Sequence, residues 1–145
     1  MSLFEKLQQA KLQKIAATKA EGETFLKQNA TSAGVITTPT GMQYKVLVQS
    51  ENTQKPKPFS LVTCHYHGTL INGEVFDSSV KRNKPATFPL NKVIKGWQEG
   101  VLLMTLGSKY VFYIPSNLAY GDEQMGPKIA PGSTLVFEVE LLGIN

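Results

Sequence analysis

The sequence predicts an α+β fold: an antiparallel β-sheet wrapped around one short helix and preceded by an N-terminal helix. Three observations predict it. Residues 3–30 contain no proline and are rich in Lys, Gln, Ala, Leu and Glu, all strong helix formers. After Gly41 the apolar residues recur every second position, as strands require. Between the later strands lies one segment with helical spacing, Gly96 to Met104.

The apolar residues of the first helix are Leu3, Phe4, Leu7, Leu12, Ile15, Ala16, Phe25 and Leu26. They follow helical spacing only loosely, because the five-residue step from Leu7 to Leu12 rotates the stripe. No heptad persists, which argues against a long coiled coil. Two readings stay open. One is a solvated helix docked on the main domain at one end; the other is the end of a longer connecting helix that carried a dimerisation module. Residues 31–41, from Thr31-Ser32-Ala33-Gly34 to Thr38-Pro39-Thr40-Gly41, have the composition of a linker. The expected division is therefore helix and linker over 1–40 and a main domain over 41–145.

In the main domain, Met42 to Val48 reads as a strand with Met42, Tyr44, Val46 and Val48 on one face. Leu61 to His67 reads as a second, and a strand ends near Ser78-Ser79. Lys109 to Ile114 and Thr134 to Leu142 are further strands. The last alternates plainly, with Leu135, Phe137, Val139 and Leu141 facing inward and Glu138 and Glu140 outward. The short helix carries Gly96 and Gly100, so packing must hold it. Val93, Ile94, Trp97, Val101 and Met104 fall near its one apolar face.

The chain has 145 residues, 41% hydrophobic and 18% charged, enough to bury one core. No apolar run is long enough to span a membrane, and the first residues lack the basic-then-apolar pattern of a signal peptide. The single cysteine, Cys64, excludes an internal disulfide and a CxxC site. The net charge of +4 is spread evenly, +2 on residues 1–30 and +2 on the rest. No basic block marks a nucleic-acid surface. Fourteen of the fifteen basic residues are Lys; the one Arg is Arg82.

Familiar chemistries find little support. His65 and His67 share a strand face, a spacing used by some zinc sites, but no third ligand lies nearby. Cys64 points to the other face with Val62 and Tyr66, as a small core residue would. Gly121-x4-Gly126 has the outline of a phosphate loop, but Pro127 removes an amide donor and breaks the required Gly-Lys order. No Ser occupies a Gly-x-Ser-x-Gly turn. What remains is an aromatic and apolar set: Tyr66, Phe76, Phe88, Val93, Ile94, Trp97, Tyr120, Ile129 and Phe137. It serves equally as a plain core. Asp77 favours more, because it adjoins Phe76 and precedes Arg82 by five residues. Arginine offers a planar fork that binds a carboxylate through two nitrogens.

Six strings then occur in order: Val62-x-x-x-Tyr66-x-Gly68, Gly73-x-Val75-Phe76-Asp77-Ser78-Ser79, Arg82-Asn83-Lys84-Pro85, Val93-Ile94-x-Gly96-Trp97, Leu118-Ala119-Tyr120-Gly121 and Thr134-Leu135-Val136-Phe137-Glu138-Val139-Glu140-Leu141. Each is weak alone. Together, across 41–145, they resemble an FK506-binding-protein-type peptidyl-prolyl cis-trans isomerase. Glu21-Gly22-Glu23-x-Phe25-Leu26-x-x-Asn29 and Gly34-Val35 resemble the helix end and linker of the bacterial macrophage-infectivity-potentiator branch.

The resemblance implies an enzyme that accelerates rotation about X–Pro bonds and needs no cofactor or metal. It implies Trp97 as a pocket floor, with Tyr66, Phe76, Phe88, Val93, Ile94, Ile129 and Phe137 as walls. Tyr120 is the implied donor to a substrate carbonyl. Asp77 lies near the reacting carbonyl, oriented by Tyr66 and Arg82. The implied partners are proline-containing polypeptides and macrolides such as FK506 and rapamycin, not nucleic acid. In that branch an N-terminal module dimerises. Only the end of its helix is expected here, so a monomer is expected. The branch points to the bacterial periplasm or cell envelope, although some relatives are cytoplasmic. Three departures stand out: Ala86 where many members carry an aromatic, Met125 in the loop after Tyr120-Gly121, and Ala130-Pro131 in place of Pro-Pro. They bear on ligand affinity and sequence preference. Two other readings are an interaction or chaperone module that keeps the proline pocket, and an unrelated small binding protein using the same apolar residues.

Overall fold

The computed structural model describes all 145 residues. Helix α1, Leu3–Asn29, opens the chain; the Ser2 side chain caps it by accepting from the Glu5 N–H at 3.1 Å. Seven strands follow: β1 Val35–Thr37, β2 Gln43–Val48, β3 Leu61–Leu70, β4 Val75–Ser78, β5 Ala86–Pro89, β6 Lys109–Ile114 and β7 Leu135–Ile144. Helix α2, Lys95–Val101, lies between β5 and β6. The sheet order is β1-β2-β6-β7-β3-β4, with β5 also on β3, and every pairing is antiparallel. No helix is long and apolar enough to cross a membrane.

Three elements differ from the sequence reading. The stretch read as a linker carries β1, which pairs with β2 from Val35↔Lys45 to Thr37↔Gln43. Strand β5, which the sequence reading did not include, starts after Pro85 and ends on Pro89; an edge strand tolerates such prolines. Helix α2 begins one residue early and ends at Val101, because the Leu103 and Met104 N–H groups turn back to Gly100 and Val101. The apolar face of β2 is also only partly used. Met42 is fully buried, but Val46 and Val48 are exposed where the register shifts after Val46.

Strand β3 organises the sheet. One edge pairs with β7 along its whole length; the other is divided between β5 at Leu61–Cys64 and β4 at His67–Thr69. Ser79 fills the gap between them. Its Oγ accepts from the Tyr66 N–H at 2.7 Å and its own N–H donates to the Tyr66 carbonyl at 2.9 Å. The core beneath is Val62 and Cys64 of β3, Phe112 and Ile114 of β6, the inward residues of β7, and Trp97 and Val101 of α2.

Two glycines seat α2. A Cβ on Gly96 would stand 2.6 Å from Ile114 Cγ2, and one on Gly100 2.7 Å from Phe112 Cε1. Phe112 is fully buried and has nowhere to move. Gly100→Ala therefore sets a gain in helix propensity of up to about 1 kcal/mol against an overpacking cost of about 1–3 kcal/mol. The overpacking wins. Urea unfolding is expected to show a net loss of about 1–2 kcal/mol; a stabilised variant would mean that α2 can lift off β6.

Candidate functional site

A cleft of about 580 Å³ opens between the sheet, α2 and the segment 120–131. It brings together ten of the eleven residues singled out in the sequence: Tyr66, Phe76, Asp77, Phe88, Val93, Ile94, Trp97, Tyr120, Ile129 and Phe137. The exception, Arg82, stands behind Asp77 and is half exposed.

Trp97 projects from the first turn of α2 and is 4% exposed. Three rings meet it edge to face: Tyr66 at 5.5 Å between centroids, Phe88 at 5.3 Å and Phe137 at 5.4 Å. Phe76 meets Phe137 in the same manner at 5.3 Å. Such arrangements suit the ring quadrupoles and stabilise by about 0.5–1.5 kcal/mol beyond area burial. Gly68 makes room for two of the rings. A Cβ there would stand 2.7 Å from Phe76 Cζ and 2.9 Å from Phe137 Cε1.

Asp77 is the one carboxylate lining the cleft. The Tyr66 hydroxyl donates to its Oδ2 at 2.7 Å, and Arg82 Nη1 pairs with its Oδ1. The second guanidinium nitrogen of Arg82 donates to the Tyr66 oxygen at 3.0 Å, and the guanidinium lies 5.7 Å from the Tyr66 ring centre. The sequence expectation of an Asp77–Arg82 pair is thus met in geometry. Arg82 reaches back because the chain turns after β4, with the Arg82 N–H donating to the Ser78 carbonyl at 3.3 Å; Asn83, next in the chain, has a φ of +54°, the one positive value outside glycine, a region asparagine tolerates better than most residues. Burial pushes the Asp77 carboxyl up, but the bonds from Tyr66 and Arg82 outweigh it and hold the group below its ordinary range. Burial, then the Asp77 carboxylate, push the Tyr120 hydroxyl up, and no hydrogen bond within the chain acts on it.

The residues set aside earlier also find places. His65 Nδ1 and His67 Nδ1 lie 2.9 Å from the hydroxyls of Ser79 and Ser78, so the two histidines hold the end of β4 and the residue after it. No group of three His, Cys, Asp or Glu side chains is arranged to hold a metal. Cys64 is fully buried, and that burial pushes its thiol up to about 12. Gly121 and Gly126 take positive φ in a loop whose Met125 and Ile129 pair back to back. Sequence reasoning assigned no role to Lys92 and Lys128, which also line the cleft. Lysines in a lysine-rich chain carry no signal.

Known proteins match this chain in both sequence and fold. Residues 52–142 match the family model described as FKBP-type peptidyl-prolyl cis-trans isomerase, and residues 1–46 match the domain amino terminal to it. The chain is 52% identical over 129 residues to a probable FKBP-type peptidyl-prolyl cis-trans isomerase FkpA of Neisseria meningitidis, covering 89% of this chain and 47% of that one. It is 47% identical over 142 residues to the FKBP-type 22 kDa peptidyl-prolyl cis-trans isomerase of Escherichia coli, covering 98% and 68%. The crystal structure of FkpA from Escherichia coli superposes with a TM-score of 0.90 at 39% identity, covering 95% of this chain and 64% of that one. A peptidyl-prolyl cis-trans isomerase from Pseudomonas syringae superposes with a TM-score of 0.83 at 33% identity, covering 90% and 95%. The chain spans about half the length of several curated relatives that it matches.

The Asp77 cluster makes a titration prediction. Tyr66→Phe removes one of the donors that lower the Asp77 carboxyl, so its pKa is expected to rise toward the ordinary value of about 3.9. A lowered carboxyl pKa contributes stability present above the ordinary value and lost as pH falls through the lowered one. The wild type's stability advantage from this bond should therefore shrink below about pH 4. NMR titration of the Asp77 side-chain carbon checks it; an unmoved pKa would remove the Tyr66 hydroxyl from the account.

Proposed function

Because the chain belongs to the FKBP-type peptidyl-prolyl cis-trans isomerase family, we propose that it accelerates rotation about X–Pro bonds in polypeptides, with residues 41–145 as the isomerase domain. The observation that carries the reading is the Trp97-floored aromatic cleft, where a single carboxylate is already held by Tyr66 and Arg82.

The chemistry asks for no more. Rotation about the amide faces a barrier of roughly 18–20 kcal/mol, and X–Pro isomerisation takes tens to hundreds of seconds unaided. No bond is broken, so neither nucleophile nor metal is required. In the twisted transition state the amide loses resonance; its oxygen becomes less polar and its nitrogen more basic. A site that binds the twisted form better than the planar one accelerates the step, and a preference of about 8 kcal/mol gives roughly a millionfold.

In this reading the proline ring rests on Trp97 between Tyr66, Phe76, Phe137 and Ile129, where a prolyl ring finds only apolar surface. Val93, Ile94 and Phe88 close the sides. Tyr120, whose hydroxyl has no partner in the chain, donates to a substrate carbonyl. Asp77 presents a fixed negative charge near the reacting amide and does not transfer a proton. Macrolides such as FK506 and rapamycin occupy the same cleft in competition with the peptide.

Isomerisation of a short Leu-Pro peptide, followed by magnetisation-exchange NMR with and without rapamycin, tests the reading. The expected result is acceleration that rapamycin abolishes. Binding of rapamycin without acceleration would replace it with a proline-recognising interaction module. Among variants, Tyr120→Phe should lower kcat/KM modestly, by about two- to tenfold for one lost hydrogen bond, with the unfolding midpoint nearly unchanged. Trp97→Leu should cost more, because it removes the floor itself. An unaffected Tyr120→Phe would strip that hydroxyl of its role.

A further inference from the structure

The wall of the cleft that bears Tyr120 and Ile129 pairs with no strand of the sheet. It closes on itself: the Gly132 N–H donates to the Gly121 carbonyl at 2.8 Å, and Met125 and Ile129 exchange backbone bonds of 2.9 and 3.3 Å. Its far end is tied to β4 by Lys128 Nζ, which donates to the Val75 carbonyl at 3.0 Å. Its base rests on α1.

That rest is unusually close. Gly22 is the one buried residue of α1, and a Cβ on it would stand 2.2 Å from Thr134 Oγ1 and 3.0 Å from Thr134 Cβ. From the other side Gly132, at φ +83°, would place a Cβ 2.9 Å from Lys19 Cγ and 3.0 Å from the Ile15 carbonyl oxygen. Two glycines, one on the helix and one on the loop, thus leave room for the Thr134 side chain against Gly22 and for Lys19 and the Ile15 carbonyl against Gly132. Lys19 Nζ and Asp122 Oδ1, 2.7 Å apart, clamp the other limb two residues after Tyr120. Thr134 is itself buried and leads directly into β7, which bears Phe137. The C-terminal part of α1 is held separately: the Gln43 amide donates to the Leu26 carbonyl at 2.7 Å, and Phe25 lies against Tyr113. A side chain added at Gly22 would therefore press on Thr134, two residues after Gly132 at the foot of the loop, while these contacts keep the helix on the sheet.

We infer that α1 is a positioning element of the cleft. It contributes no side chain to the lining, yet Gly22 and Lys19 set where the wall bearing Tyr120 and Ile129 stands over Trp97. Gly22 and Lys19 are positioning residues, not catalytic ones, and the inference rests on the cleft being the proline site. A wall displaced by a fraction of an ångström weakens substrate binding, since small misplacements at a binding surface carry large rate penalties.

The test uses the full chain and three variants: Gly22→Ala, Gly22→Ala with Thr134→Ala, and Lys19→Glu. The readouts are the methyl resonances of Ile129 and Met125, and KM and kcat for a Leu-Pro peptide. Gly22→Ala is expected to shift both methyls and raise KM by about three- to tenfold, with kcat changed less. Thr134→Ala removes the oxygen nearest the new methyl, so the double variant should return partway to wild type on both readouts. Lys19→Glu sets like charges at an exposed position that tolerates them; it should move the same methyls and raise KM by about twofold, with the effect fading in high salt. Unmoved methyls and unchanged KM in folded variants would overturn the inference and leave α1 a merely stabilising element. So would a loss of stability with no methyl shift. If the chain proves inactive on every peptide, the methyl resonances alone decide.

Discussion

The cleft depends on α2 lying against β6 with its glycine backbone directly on the Ile114 and Phe112 side chains. A seven-residue helix does not persist alone in water, so α2 exists because Trp97 and Val101 are buried and because Gly96 and Gly100 let its backbone sink to within contact of Ile114 and Phe112. That depth sets the height of the indole above the sheet. Trp97 then meets Tyr66, Phe88 and Phe137 at steep interplanar angles and, though almost wholly buried, lines the cleft. Gly68 repeats the device on the sheet, where a missing Cβ admits Phe76 and Phe137. The most aromatic surface of the molecule is shaped by three absent side chains.

A charge in such surroundings must be held by its neighbours, and the sheet supplies them through one interruption. Between β4 and β5 the edge of β3 is unpaired, and Ser79 satisfies both backbone groups of Tyr66 there. Tyr66 is thereby fixed at the point where its hydroxyl reaches Asp77, and the turn closed by the Arg82 N–H on the Ser78 carbonyl returns Arg82 to the other carboxylate oxygen. The two ionisable partners move apart: Asp77 is held below its ordinary range, and burial with the neighbouring carboxylate pushes the Tyr66 hydroxyl above its own. Neither exchanges a proton readily near neutrality. A fixed dipole is what a reaction without bond breaking can use, whereas acid–base catalysis would need a group poised near the working pH.

The sequence made the strands with strict alternation legible, because burial on one face imposes the period. Leu135, Phe137, Val139 and Leu141 all face the core as read. The aromatic set and the Asp77–Arg82 pair were legible from residue type, since a lone arginine near a carboxylate has few other uses in a lysine-rich chain. What stayed hidden depends on distant parts of the chain. Strand β1 lies in a Gly-, Pro- and Thr-bearing stretch and becomes a strand only because β2 offers an edge. Strand β5 is framed by prolines that local rules read as breaks. Ser79 stood inside a recognised string without a visible task, because its partner is the backbone of Tyr66, thirteen residues away in sequence. The contact of Gly22 with Thr134 spans most of the chain and leaves no local trace.

Hidden and legible residues divide the work of the proposed site. Its floor and sides are aromatic and aliphatic, and the feature they recognise, a prolyl ring, is common to every substrate. The rim differs in kind. Lys92 is exposed and has no ion-pair partner in the chain, Lys128 is tied to Val75 and faces Glu74 at 4.0 Å, and Met125 is a flexible apolar side chain. In the proposed reading these groups face the residues that flank proline, and each sits on or beside a segment outside the sheet. On that reading discrimination among polypeptides falls to the rim, whose 120–131 segment is tethered to β4 through Lys128 and to α1 through Lys19. A fold can keep the chemistry constant in its core and change its substrates through loop residues whose identity alone reveals little.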